Sequence, residues 1–203
     1  MKILCIGRNY REHIAELKHQ VPTEPVFFMK PDTSLLTRNR PFYLPDFSAE
    51  VHYEAELVLR ICKVGKNIQK KFASTYYDAV GIGLDLTARD LQAKAKEKGL
   101  PWLASKGFDH SSPLGKFIEK KQLRDVHDIR FSLEKNGVKV QDASSAEMIF
   151  TFEDIISYIS RFITLKTGDL IFTGTPSGVG PLKIGDRLEA FIEGQMLLGC
   201  TIK

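Results

Sequence analysis

The stretch Val51-His52-Tyr53-Glu54-Ala55-Glu56-Leu57-Val58-Leu59-Arg60-Ile61 decides how this chain is read. Val, Tyr, Leu and Ile dominate it, so it is predicted to be a β-strand, running to about Cys62. Side chains alternate along a strand, which puts Glu54 and Glu56 on one face. Neighbouring carboxylates repel, and the apolar run after them implies burial. Buried like charges are costly unless a proton or a cation compensates them. A divalent metal is the most economical compensation, and it would make the protein an enzyme.

A cation needs further ligands, and Asp85 is the best candidate. It ends the apolar run Ala79-Val-Gly-Ile-Gly-Leu-Asp-Leu86, itself predicted to be a buried strand. Three carboxylates form a hard oxygen site suited to Mg²⁺ or Mn²⁺ more than to Zn²⁺. Spacing alone leaves another possibility open. Glu54 and Glu56 could face solvent on an edge strand, with Asp85 capping the helix that follows.

Working outward, Met1 to Gly7 reads as a first strand and Tyr10 to Lys18 as a helix capped by Asn9. Val26 to Met29 is a short buried strand that Lys30-Pro31 ends. Phe72 to Tyr77 is a short helix, and Ala88 to Lys98 a longer one, with Thr87 as N-cap and Gly99 just beyond. Residues 99 to 115 read as a loop. Ile129 to Val140 is a hairpin turning at Asn136-Gly137. Thr151-Phe-Glu-Asp154 is a capping box opening an amphipathic helix to about Phe162. Strands at 170–172, 187–192 and 196–202 finish the chain. The fold class is α+β and β-rich, without regular strand–helix alternation.

Three further groups could carry chemistry. His13 and Glu16 share a helix face; such a carboxylate fixes an imidazole tautomer and raises its basicity, although a surface ion pair looks the same in sequence. Lys106, followed by Gly107, could neutralise an oxyanion or could be a surface lysine. The glycines of Thr173-Gly-Thr-Pro-Ser-Gly-Val-Gly-Pro181 could form an anion nest or a tight turn. No Walker A lysine follows them.

The 203 residues fit one domain, and the net charge of +4 is weak. The lysines of 63–71 and 116–121 are expected to be solvated surface, and no basic stripe speaks for nucleic acid. Cys5, Cys62 and Cys200 lack metal or CxxC spacing and are expected to be buried free thiols in a reducing compartment. With no apolar run of membrane length, the expected location is the cytoplasm.

These groups occur together in an order that resembles the fumarylacetoacetate hydrolase family. The matching pieces are Gly7-Arg-Asn-Tyr-Arg-Glu-His13, Phe28-Met-Lys-Pro31, His52-Tyr-Glu-Ala-Glu-Leu57, Asp85-Leu-Thr-Ala-Arg-Asp-Leu-Gln92, Lys106-Gly-Phe-Asp109 with Pro113-Leu-Gly115, and Thr173 to Gly180. They span nearly the whole chain and are most similar to the short branch that includes acylpyruvate hydrolases and oxaloacetate decarboxylases.

The resemblance implies a single catalytic domain over residues 1–203, with a β-roll like the family's C-terminal domain and peripheral helices. It implies a lid within residues 1–20 and a homodimer. Glu54, Glu56 and Asp85 would hold Mg²⁺ or Mn²⁺. His13 and Glu16 would activate water, and Lys106 would be the catalytic lysine. Arg89, Gln92, Lys30 and Thr175 would hold the substrate's carboxylate and oxo groups. The implied activity is C–C bond hydrolysis of a small 2,4-dioxo acid of the acylpyruvate or fumarylpyruvate type through an enolate. Oxaloacetate decarboxylation, or isomerisation or tautomerisation of a 2-oxo acid, could use the same site; non-catalytic 2-oxo-acid binding is the remaining alternative.

Overall fold

The computed structural model describes residues 1–16 and 20–203. In chain order the strands are β1 (Ile3–Gly7), β2 (Val26–Lys30), β3 (Leu35–Leu36), β4 (Val51–Tyr53), β5 (Ala55–Ile61), β6 (Tyr77–Leu84), β7 (Thr87–Ala88), β8 (Ser112–Glu119), β9 (Arg130–Lys135), β10 (Val138–Ser144), β11 (Leu170–Phe172), β12 (Gly180–Pro181), β13 (Arg187–Ile192) and β14 (Gln195–Thr201). The helices are α1 (Arg11–Glu16), α2 (Lys70–Ala73), α3 (Arg89–Glu97), α4 (Leu103–Lys106) and α5 (Phe152–Ser160). The architecture is α+β and strand-rich.

Three sheets organise the strands. The largest runs β2-β1-β11-β5-β6-β8-β3, the second β10-β9-β13-β14, and the third β12-β4-β7. The apolar run of β5 is explained by burial on both faces. Leu57 and Leu59 enter the main core with Leu4, Ile6 and Ile171, while Val58 enters a smaller cluster with Ile3, Cys5 and Phe172. Each such side chain contributes about 1.5–3 kcal/mol when fully buried. Glu56 shares the parity of Val58 and so points towards the smaller cluster.

The expected continuous strand from Val51 is broken at Glu54. Before the break, β4 pairs with β7 and β12; after it, β5 pairs with β6 and β11. The chain therefore changes sheets at Glu54. The partner segment does the same at Asp85, between β6 and β7, and Asp85 N donates to the Glu54 carbonyl at 2.8 Å. Residues on such a double crossing are free of the ladder's regular side-chain alternation.

Other local expectations divide in the same way. The hairpin turns at Asn136 and Gly137, with φ of 55° and 78°, the left-handed pair that a two-residue turn requires. Thr151 and Asp154 form the reciprocal capping box of α5, whose Phe152, Ile155, Ile156 and Ile159 face the core. Asn9, by contrast, does not cap α1. Its amide donates to Phe150 O and Thr173 O, and its oxygen accepts from Phe150 N, so it ties three distant segments together. The expected end of α1 at Lys18 lies outside the described residues.

Thr87 caps nothing either; it pairs with His52 in β7, and its hydroxyl donates to Asp85 O. The predicted helix over Phe72–Tyr77 is shifted to α2 and a 3₁₀ turn, with Tyr77 already in β6. The predicted loop over 99–115 contains α4 and the start of β8. β2 is half-exposed rather than buried, with Met29 50% accessible, because it is an edge strand. Cys62 is only partly buried, unlike Cys5 and Cys200; all three thiols are free.

Candidate active site and metal centre

The two sheet-switching breaks bring the acidic residues together. Oxygens of Glu54, Glu56 and Asp85 lie within 4.8 Å of one another, and all three side chains are buried. The open possibility of solvent-facing glutamates is thereby removed.

Cations surround two of the three carboxylates. Lys106 Nζ donates to Glu54 Oε2 and Asp85 Oδ2, both at 2.7 Å. Arg89 Nη2 donates to Glu54 Oε1 at 2.5 Å, and its Nη1 donates to Gln92 Oε1 at 2.7 Å. Lys30 Nζ lies 2.6 Å from Asp85 Oδ1 but directs its hydrogen bonds to the Ser111 carbonyl and hydroxyl. Among the described residues, Asp85 Oδ1 is thus left with a nearby charge and no hydrogen-bond donor. Glu56 has no ion pair among the described residues; it accepts from Gly174 N at 2.8 Å.

The titration behaviour follows. Burial opposes the charge on Glu54, but Lys106 and Arg89 outweigh it and hold the carboxyl far below its ordinary range. Burial, then Asp85 and Glu54, push the Glu56 carboxyl well above that range. Burial also opposes the Lys106 ammonium, yet Asp85 and Glu54 raise its pKa above the ordinary lysine value. The cluster therefore fits a hard divalent cation: three converging carboxylates, one of them without a counter-charge, and an undonated oxygen on Asp85. These residues could hold a metal.

A cavity of about 40 Å³ opens beside the carboxylates, walled also by His13, Arg89, Gln92, Lys106 and Thr175. By general packing standards it has room for a few water-sized groups. His13 is buried, and its Nδ1 lies 3.1 Å from Glu16 Oε2. The loop after β11 anchors this pair. Gly178 N donates to Glu16 Oε1 at 3.3 Å, and Ser177 Oγ to Glu12 Oε2 at 3.2 Å. Of the two possibilities for this loop, nest or tight turn, its amides do meet anions, but these are the protein's own carboxylates, Glu56 on Gly174 and Glu16 on Gly178. Both glycines require a left-handed backbone, with φ of 99° and 94°, and a Cβ on Gly178 would stand 2.1 Å from Val140 O.

A model of the fumarylacetoacetate hydrolase C-terminal family matches residues 2–203. The chain belongs to this family. Among its relatives, a mitochondrial oxaloacetate tautomerase of Mus musculus is 41% identical over 201 residues, covering 99% of this chain and 91% of that protein. A mitochondrial oxaloacetate decarboxylase of Dictyostelium discoideum is 42% identical, covering 95% and 89%. The crystal structure of Pseudomonas aeruginosa fumarylpyruvate hydrolase in complex with Mn²⁺ and pyruvate superposes with a TM-score of 0.94 at 34% identity, covering 100% and 89%. Family members among these relatives are hydrolases, decarboxylases, tautomerases and isomerases.

Within this family framework, the structure gathers nearly all the expected site residues around one cavity. Glu16 and Lys30 are the exceptions; Glu16 meets the cavity through its contact with His13. Lys30 is 1% exposed and stands against Asp85, not among the residues that line the cavity. Thr175 is on the wall, but its hydroxyl already donates to Ala55 O and accepts from Gln141 Nε2. The lid expected within residues 1–20 cannot include Ile3–Gly7, an interior strand paired on both sides by β2 and β11.

Sequence reasoning passed over Arg8, Phe28, Lys96 and Trp102, all on the cavity wall. Trp102 packs edge-on against Phe28 at 5.9 Å. For Lys96 a signal was present. Arg89, Gln92 and Lys96 follow the i, i+3, i+7 spacing of one helix face. No helix among the described residues is long and apolar enough to cross a membrane.

Proposed function

We propose that this protein is a Mg²⁺- or Mn²⁺-dependent enzyme acting at the carbon next to the oxo group of a compact 2-oxo acid. Oxaloacetate is the model substrate, and keto–enol tautomerisation or decarboxylation the reaction. The observation that carries the proposal is the convergence of the buried Glu54–Glu56–Asp85 cluster, the His13–Glu16 pair and Lys106 on one small cavity. The relatives named for oxaloacetate chemistry support the substrate, and the Mn²⁺-bound neighbour supports the metal. The family match over residues 2–203 supports one catalytic domain.

When bound to the three carboxylates, the divalent ion supplies Lewis acidity that favours ionisation beside the 2-oxo group. The chain's own residues do the rest. Glu16 accepts from His13 Nδ1–H, which leaves Nε2 as the free base. In tautomerisation, Nε2 takes the proton from C3 while the enol oxygen gains one from solvent. Lys106, held charged, stabilises the oxyanion that develops. Arg89, kept in place by Gln92 and Glu54, holds the substrate carboxylate, with Thr175 on the same wall.

A second reading, hydrolysis of a 2,4-dioxo acid, is favoured by the complete His13–Glu16 pair. There Nε2 would take its proton from water, which attacks the distal carbonyl. We further propose a homodimer, as the family resemblance implies, in a reducing compartment that suits three free thiols. The cytoplasm and the mitochondrial matrix both meet that condition.

The test is a panel of oxaloacetate, acetylpyruvate and fumarylpyruvate, each with and without Mg²⁺ or Mn²⁺. Metal-dependent loss of the oxaloacetate enol absorbance is expected, and Lys106→Met should slow it by at least 100-fold. No turnover of any member would return the protein to a binding role.

A further inference from the structure

The same cavity carries two cations that the proposed chemistry does not use. Arg8 follows β1 in a left-handed backbone conformation, φ 61°, unusual for a residue with a side chain. Lys96 projects from α3 one turn beyond Gln92, with its Nζ 5.9 Å from the Trp102 ring centroid. Both border the cavity that holds the acidic cluster. Among the described residues neither has a carboxylate within 4.0 Å, although most other charged groups of the site are paired. Lys96 is an exposed residue of the rim, yet partial burial, then the Arg89 and Arg8 charges, push its ammonium below the ordinary lysine value. Two like charges held together without an acid on the protein leave room for one on a ligand.

The carboxylates, all buried, and Arg89 stand where the 2-oxo acid end of the substrate would lie, and Arg8 and Lys96 line the same cavity. We propose that Arg8 and Lys96 form the subsite for a second carboxylate on a compact 2-oxo diacid, and so make the enzyme prefer dianionic over monoanionic substrates. The inference rests on the proposed function and adds the residues that select a diacid within it. Both residues are positioned by neighbours of the catalytic set, Arg8 by the strand that precedes His13 and Lys96 by the helix that bears Arg89. The same packing would therefore orient both ends of the diacid. Because both residues lie near solvent, each charge acts through a partly screened field, and the effect is one of moderate size.

The test compares two non-reacting ligands on the Mn²⁺-loaded protein by titration calorimetry: L-malate, a 2-hydroxy diacid, and L-lactate, the corresponding monoacid. The wild-type protein is expected to bind malate at least tenfold more tightly than lactate. Arg8→Gln and Lys96→Met should each reduce that ratio by at least threefold, and the double variant should abolish the preference. A lactate affinity close to wild type shows that the variants are folded and loaded. An equal affinity for the two ligands in the wild type, or an unchanged ratio in the double variant, overturns the subsite. Failure of the proposed reaction gives a different result, an unaltered malate preference with no oxaloacetate turnover. In an active enzyme the kcat/KM ratio of oxaloacetate to acetylpyruvate should fall in parallel, chiefly through KM.

Discussion

The carboxylate wall and helix α1 meet at one cavity but are held in opposite ways. Glu56 sits on β5, and Glu54 and Asp85 at the ends of β5 and β6, where the neighbours Ala55, Leu57 and Leu84 have no exposure at all, and Lys106, Arg89 and Gly174 bind them directly. His13 and Glu16 sit on a single short helix. Its polar ties to the rest of the chain include Gly178 to Glu16 and Ser177 to Glu12, both at the surface. The wall is built into the core, and the proton-transferring pair is attached at its edge. The difference teaches that holding a cation and moving a proton should be separable by substitution.

The largest effect is expected on the wall. Glu56→Gln keeps an acceptor for Gly174 N but removes the carboxylate that has no ion pair. Mn²⁺ affinity should fall by more than about 100-fold, with turnover lost in proportion, because ligand loss is at least as damaging as loss of a ligand's supporting partner. Equilibrium dialysis with metal analysis measures this directly. Stoichiometric Mn²⁺ retained by the variant would break the assignment of Glu56 and with it one side of the comparison.

On the helix side, His13→Ala should leave Mn²⁺ affinity within about twofold of wild type while turnover falls by about 10²–10⁴-fold, the usual scale for a lost general base. Parallel titration and rate measurements separate the two effects. A variant that loses metal and rate together would show that the helix and the wall act as one unit. Full activity would remove His13 from proton transfer.

The same contrast explains what was legible in the sequence. Local rules sufficed where neighbours in the chain are partners in space: Asn136-Gly137 for the hairpin, Thr151 with Asp154 for α5, and the unbroken apolar run Leu57, Val58 and Leu59 for a buried strand. The acidic trio was found because Glu54 and Glu56 are two apart and Asp85 is anomalous at the end of an apolar run. The break at Glu54 was hidden, since a strand passing from one sheet to another keeps the composition of a continuous strand. Asn9 was read as a cap because its actual partners, Phe150 and Thr173, are far away in sequence. Lys30 was placed by its position in a motif, and its partners Ser111 and Asp85 are too distant in sequence to be read from it. One-turn α4 left no helical period to detect, although it carries Lys106.

The smallest predicted effect is a pH dependence that belongs to the wall alone. Burial, Asp85 and Glu54 raise the Glu56 carboxyl, so the folded, metal-stripped protein keeps a proton there that the unfolded chain has already released. That contribution to stability is present in full below the ordinary carboxylate value and is lost as pH rises through the raised folded value. A bound cation requires the ionised carboxylate and must displace this proton. Mn²⁺ affinity should therefore rise with pH across that window, by at most about tenfold per unit for one proton. Calorimetric titrations in two buffers of different ionisation heat should detect proton release on Mn²⁺ binding, and Glu56→Gln should flatten the residual dependence. Affinity that is level with pH, with no proton released, would mean that Glu56 is already ionised beside Asp85 and Glu54. The wall would then owe its balance to Lys106, Arg89 and Lys30, and the cation would be an addition to a site that is already neutral.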